Sequence, residues 1–159
     1  MKIKPIKQRD SSACGPTCIE MALRYFGIPH TVKKIADVTD YKKADGLSNT
    51  EIVAALKQFG LRSKLVKNTS WERLQTLNTP DSVIIVSWML EGYIGHVSTL
   101  EKVTDTHVFL AESTTGKIFK MERVRFLRQW WDYEAQDRDI WYPETKADIQ
   151  LRVAIVVTQ

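Results

Sequence analysis

The residues most able to do covalent chemistry are two cysteines, Cys14 and Cys18, set in Gln8-Arg-Asp-Ser-Ser-Ala-Cys14-Gly-Pro-Thr-Cys18. Cys14 falls at the predicted start of a helix. Unpaired backbone N–H groups and the positive end of the helix dipole lie there, and both favour thiolate over thiol. A thiolate is a nucleophile, so the segment points to attack on an electrophilic carbonyl. Gly15 removes side-chain bulk beside it, which predicts room for a substrate. The alternative is a buried thiol near a helix end. Cys18 lies one helical turn deeper and reads as a core thiol. The pair is neither a disulfide framework nor a metal knuckle, so no metal and no cofactor are expected.

A thiolate nucleophile needs a proton carrier. The chain has three histidines: His30, His96 and His107. His30 follows Pro29 in a turn-like stretch, and His107 begins a strand after Asp105-Thr106. His96 follows Gly92-Tyr93-Ile94-Gly95 and opens a strand. Its glycines predict open space around the imidazole, although a hydrogen-bonded structural histidine would look the same. A third group must orient the base. Glu112 stands at the end of the next strand. If those strands form a hairpin turning near Asp105, Glu112 returns toward His96 and accepts the Nδ1–H bond. Gln8 stands six residues before Cys14, where its amide could donate to an oxyanion together with the backbone N–H of Cys14. Tyr93 and Trp88 flank the glycine-rich approach to His96 and are candidate cleft residues, as is Gly95.

The elements that must hold these groups are legible. Helical spacing follows Cys14 through Ile19, Ala22, Leu23 and Phe26, with Pro16 in the first turn and Gly27 after the end. Thr31 predicts a cap for a short helix. Ser48 with Glu51 three residues on is a capping-box signature, closed by Gly60. Ser70 predicts another start. From residue 82 the texture changes to β-branched runs at 82–90, 96–103, 107–111, 117–121 and 151–158, with a helical interval at 122–131. From 137 onward the tail reads as a loop and a closing strand. Helices first and strands later predict an α+β fold, N-terminal helices on a mostly antiparallel sheet, in a single domain over 1–159.

The pattern resembles the C39 peptidase family, papain-like proteases that process double-glycine leader peptides of bacteriocins. The likeness rests on Gln8…Cys14-Gly15-Pro16-Thr17-Cys18, Arg24-Tyr25-Phe26-Gly27, Gly95-His96-Val97, Ala111-Glu112-Ser113-Thr114-Thr115-Gly116, and the later Phe126 and Trp130. It implies a papain-like fold with Cys14 as nucleophile, His96 as base, Glu112 as orienter and Gln8 in the oxyanion hole, acting on a peptide or leader peptide. This chain departs from the family pattern in Ala13, where Asp is frequent, and in Glu112-Ser113, where Asp-Pro is usual. The second reading is a peptide-binding module of the same fold with little or no turnover.

Composition narrows the partners. Net charge is +4, with 23 basic and 19 acidic residues interleaved rather than striped, so a nucleic-acid surface is not expected. Met1–Pro5 has charge without a following apolar stretch, which predicts no secretory signal. The run 83–90 is too short to span a bilayer. No Walker loop is present, so a stand-alone enzyme is expected. Free thiols without an export signal predict a cytoplasmic location.

Overall fold

The computed structural model describes residues 2–43, 45–134 and 139–159. The first two residues of the tail expected from 137 fall outside that set. Helix α1 spans Cys14–Tyr25, α2 Val32–Thr39 and α3 Asn49–Gln58. After strand β1 (Arg62–Val66) comes α4 (Trp71–Leu77). Then β2 (Val83–Leu90), β3 (Ile94–Val103), β4 (His107–Glu112) and β5 (Lys117–Glu122) run consecutively. Helix α5 (Arg123–Gln129), β6 (Trp131–Tyr133), β7 (Ile149–Leu151) and β8 (Ala154–Thr158) complete the chain.

The predicted caps are present. Thr31 accepts from Lys34 N–H, Ser70 accepts from Arg73 N–H, and Ser48 with Glu51 forms the reciprocal capping box. Each satisfies an amide that the helix itself leaves unpaired. Two strands were not foreseen. β1 is short and its side chains are half-exposed, so its apolar signal is weak. β6 has three residues and pairs only with β7. The strand expected over 151–158 is interrupted at Arg152, whose φ of 50° lies in the left-handed region and turns the chain between sheets.

Six strands form one antiparallel sheet in the order β1-β8-β2-β3-β4-β5. Alternation along each strand sends side chains to opposite faces, and both faces are covered. Val83, Ile85, Val97, Ala111, Ile155 and Val157 pack with α1, α2 and α3. Ile84, Val86, Trp88, Leu100, Leu110 and Ala154 pack with Trp71 and Leu74 of α4 and Phe126 of α5. Burial on both sides explains why β2 reads as an apolar run broken only by buried Ser87.

The lead-in before α1 is pinned rather than loose. Glu20, 1% exposed, accepts from Arg9 at 2.9 Å and Arg24 at 2.7 Å. Tyr41 Oη donates to Asp10 at 2.8 Å, and Ser12 Oγ donates to Asp45. Ile3 N–H donates to Glu101 Oε2 at 2.7 Å. These contacts tie residues 3–12 to α1, β3 and the loop before α3.

Candidate active site

Cys14 is half-buried at the first position of α1. Ala13 occupies the N-cap and supplies no side-chain bond. The first-turn amides are therefore not engaged by a side-chain cap. Cys18 is fully buried and its Sγ lies 3.6 Å from the Val97 carbonyl oxygen. Burial pushes its thiol well above the ordinary range, as suits a core thiol.

His96 opens the buried part of β3 and pairs with Trp88 of β2. Its Nε2 lies 2.7 Å from Glu112 Oε1. Since Glu112 takes Nε2, Nδ1 is the nitrogen left for the thiol of Cys14, which lines the same cleft and acts on the ring. The ring is thus used the other way round from the sequence expectation of an Nδ1–H bond to the carboxylate. Burial alone would lower the His96 pKa. The bonds to Cys14 and Glu112 and their negative charge outweigh it and raise the value to about 9. Burial works against ionised Glu112 as well. His96, Ser98 Oγ–H at 2.6 Å and the Thr114 N–H at 2.9 Å reverse that and hold its carboxyl below the usual range.

Glu112 reaches His96 through an irregularity in the sheet. Val103 pairs with Val108 and Lys102 with Phe109, but beyond the extra residue Glu101 the partners become Leu100 with Leu110 and Thr99 with Ala111. The shift of one brings Glu112 level with Ser98, on the face that Ser98 shares with His96. Trp88 Nε1–H donates to Ser98 Oγ at 2.9 Å, which completes a buried chain of Trp88, Ser98, Glu112 and His96.

Cys14 and His96 line one open cleft of about 650 Å³. Gly95, Tyr93 and Trp141 form part of its walls, with Asp132 and Glu134 of the β6 region opposite. A Cβ on Gly95 would meet only Asp132 Oδ1, at 3.7 Å, so packing does not demand glycine and its absence of bulk leaves the cleft clear. Tyr93 is 72% exposed. Trp88 is placed otherwise: it is 1% exposed and meets the His96 ring edge-on at 5.6 Å. It shares the sheet face of its pairing partner His96 and backs the imidazole from within the α4–α5 core instead of lining the cleft. Gly15 is buried, and a Cβ there would lie 3.1 Å from the Leu47 side chain, so its lack of bulk serves packing beneath the cleft. Gln8 is half-buried. Its Nε2–H donates to the Asp10 carbonyl at 2.8 Å, and its Oε1 accepts from Ser113 at 2.7 Å.

Sequence reasoning gave no role to Ser98, Ser113 or Asp132. The two serines carry no local signature. Asp132 sits in a three-residue strand. Burial raises its pKa to about 6, while the Tyr133 N–H and Asn49 Nδ2–H partly offset that.

A helix-borne thiol sharing a cleft with a strand-borne imidazole, itself held by a carboxylate, can exchange a proton with that imidazole. With an antiparallel sheet behind it, this is the architecture of the papain-like thiol peptidases. The chain belongs to the Peptidase C39 family, whose model matches residues 2–135. It is 23% identical over 123 residues to the SPbeta prophage-derived sublancin-168-processing and transport ATP-binding protein SunT of Bacillus subtilis (strain 168). That match covers 76% of this chain and 17% of the longer protein. The fold is shared with the peptidase domain of Streptococcus ComA, a bi-functional ABC transporter involved in quorum sensing. The TM-score is 0.70 at 16% identity, with 98% of each chain covered. It is shared too with a double glycine motif protease from an AMS/PCAT transporter, solved in complex with its leader peptide. There the TM-score is 0.71 at 14% identity, covering 99% of this chain and 94% of that one. Among the described residues no helix is long and apolar enough to cross a membrane.

Proposed function

We propose that this chain is a cysteine peptidase that cuts a peptide bond through Cys14, His96 and Glu112, on a substrate with a double-glycine type leader. The observation that carries this is the 2.7 Å bond from His96 to Glu112, with His96 and Cys14 lining the same cleft. The Cys14 sulfur attacks the scissile carbonyl carbon. The resulting oxyanion is held by the Cys14 N–H and the Gln8 amide. His96 gives its Nδ1 proton to the leaving amine as the C–N bond breaks, which leaves a thioester on Cys14. Water then attacks the thioester, His96 takes its proton, and the thiolate departs. Glu112 keeps the imidazole ring in place and favours its protonated form. The open wall at Gly95, beside exposed Tyr93, suits an extended backbone with small side chains at the cut.

The test uses a peptide with Gly-Gly at the acyl side of the cut, followed by mass spectrometry. Cleavage after the glycine pair is expected, together with its loss in Cys14→Ala. Iodoacetamide at mild pH is expected to label Cys14 far faster than Cys18. An acylating probe that leaves Cys14 untouched, with no cleavage, would instead indicate a peptide-binding module.

A further inference from the structure

We infer that Ser113 is a positioning residue that holds the Gln8 amide in the facing that the Asp10 carbonyl selects; this rests on the peptidase reading with Gln8 as an oxyanion donor. The two ends of that amide have different partners: the Asp10 carbonyl at 2.8 Å and the Ser113 hydroxyl at 2.7 Å. A backbone carbonyl only accepts, so the end facing Asp10 must be the NH2 group. The other end is then the amide oxygen, which also only accepts, so Ser113 must donate. One hydrogen of Nε2 goes to Asp10 and the second is left for an oxyanion. Turning the amide over would set two carbonyl oxygens against each other at Asp10 and leave the Ser113 hydroxyl to accept from the NH2. The Ser113 hydroxyl adds a bond that holds the half-buried oxygen in its place.

Three features make this a built contact. Ser113 is 0% exposed. The Gln8 N–H donates to the Ser113 carbonyl at 2.7 Å, so the same two residues are joined through backbone and side chain. Gly116, at φ 67°, lies so close to the lead-in that a Cβ there would come within 2.9 Å of Lys7 Cβ and 3.0 Å of Lys7 N. The β4–β5 turn therefore clamps the lead-in at Lys7 and Gln8. Glu112 directly precedes Ser113, so one short turn orients both the imidazole and the amide. Where the family pattern has Asp-Pro, this chain has a carboxylate followed by a hydroxyl.

The experiment compares wild type, Ser113→Ala, Gln8→Ala and the double variant on the Gly-Gly peptide. In parallel, the pH dependence of Cys14 alkylation by iodoacetamide is measured. Alkylation displaces iodide at a saturated carbon and forms no oxyanion, so it reads the Cys14–His96–Glu112 set alone and reports that the site is folded. Ser113→Ala is expected to lower kcat about tenfold, less than the hundredfold or more of losing an oxyanion donor outright. KM and the alkylation profile should stay as in wild type. On the Gln8→Ala background, Ser113→Ala should cost nothing further. Ser113→Gly gives the same readout should the alanine variant not fold. An unchanged kcat, an equal loss on the Gln8→Ala background, or a shifted alkylation profile would each overturn the role of Ser113 while leaving the peptidase reading intact. A Gln8→Ala enzyme with wild-type kcat would overturn the oxyanion assignment and this inference with it. A wild-type chain that cuts no such peptide would overturn the underlying reading.

Discussion

A buried imidazole ordinarily gives up its proton more readily, and His96 does the reverse. Burial lowers its pKa, but Cys14 and Glu112 together raise it to about 9. The imidazolium is needed to protonate the leaving amine. It dominates below that value and is lost above it. The rate of peptide cleavage should therefore fall as pH rises through about 9, read from kcat/KM against pH. Glu112→Gln removes one of the two negative partners, so its alkaline limb should move to lower pH, with kcat reduced. The same raised pKa contributes stability that is fully present below the ordinary histidine value near 6.5 and is lost as pH rises from there toward 9. The melting temperature should drop over that window, and less so in Glu112→Gln. Glu112 is one methylene longer than the Asp its position suggests. The extra length is taken up by Ser98 and the Thr114 N–H, which fix both carboxylate oxygens.

At the scale of elements, the decisive pieces are one turn and one bulge. The β4–β5 turn depends on Gly116, whose φ of 67° and contact with Lys7 leave no place for a side chain. Gly116→Ala combines a strained backbone with a clash against a main chain. It should destabilise the protein by roughly 1 kcal/mol or more and lower kcat, because the displaced lead-in carries Gln8. A urea titration and a kinetic assay on the same sample check both. The bulge at Glu101 is stabilised by the Ile3 N–H bond. The lead-in is thus fastened at both ends of the β3–β4 pair, at Glu101 and at Ser113. Helix α1 is held against it through Arg9 and Glu20.

For the whole molecule, the sheet works as a wall with a separate apolar layer on each side. The α1 side carries Cys14, and the α4–α5 side supports the chain from Trp88 to Glu112. Trp130 belongs to the second layer, where it is 1% exposed and donates to the Val153 carbonyl at 2.9 Å. Trp130→Ala should cost about 3–5 kcal/mol, a large part of the stability of a domain this size. The denaturant midpoint should fall accordingly. Below the transition the rate of Cys14 alkylation should hardly change, since the lost side chain touches neither α1 nor the cleft.

Much of the site was legible without coordinates. The helix beginning at Cys14, the Ser48 capping box, the glycines before His96 and the turn at Asp105 are local effects. They follow from capping, backbone freedom and spacing within a few residues, and each is found in place. Trp88 and Gly15 went another way because burial depends on what packs from the opposite side, which a strand pattern does not state. Glu112 is the clearest case. Continuing the pairing of Val103 with Val108 without interruption would set Glu112 opposite Thr99, on the face turned away from His96. The extra residue Glu101 sets its carboxylate on the Ile3 N–H, a partner 98 residues away in the chain. The amino-acid sequence by itself determined a thiol at a helix start and an imidazole at a strand start. Only the tertiary structure decided that the carboxylate reaches the imidazole, because side-chain facing in a sheet turns on a single residue of register.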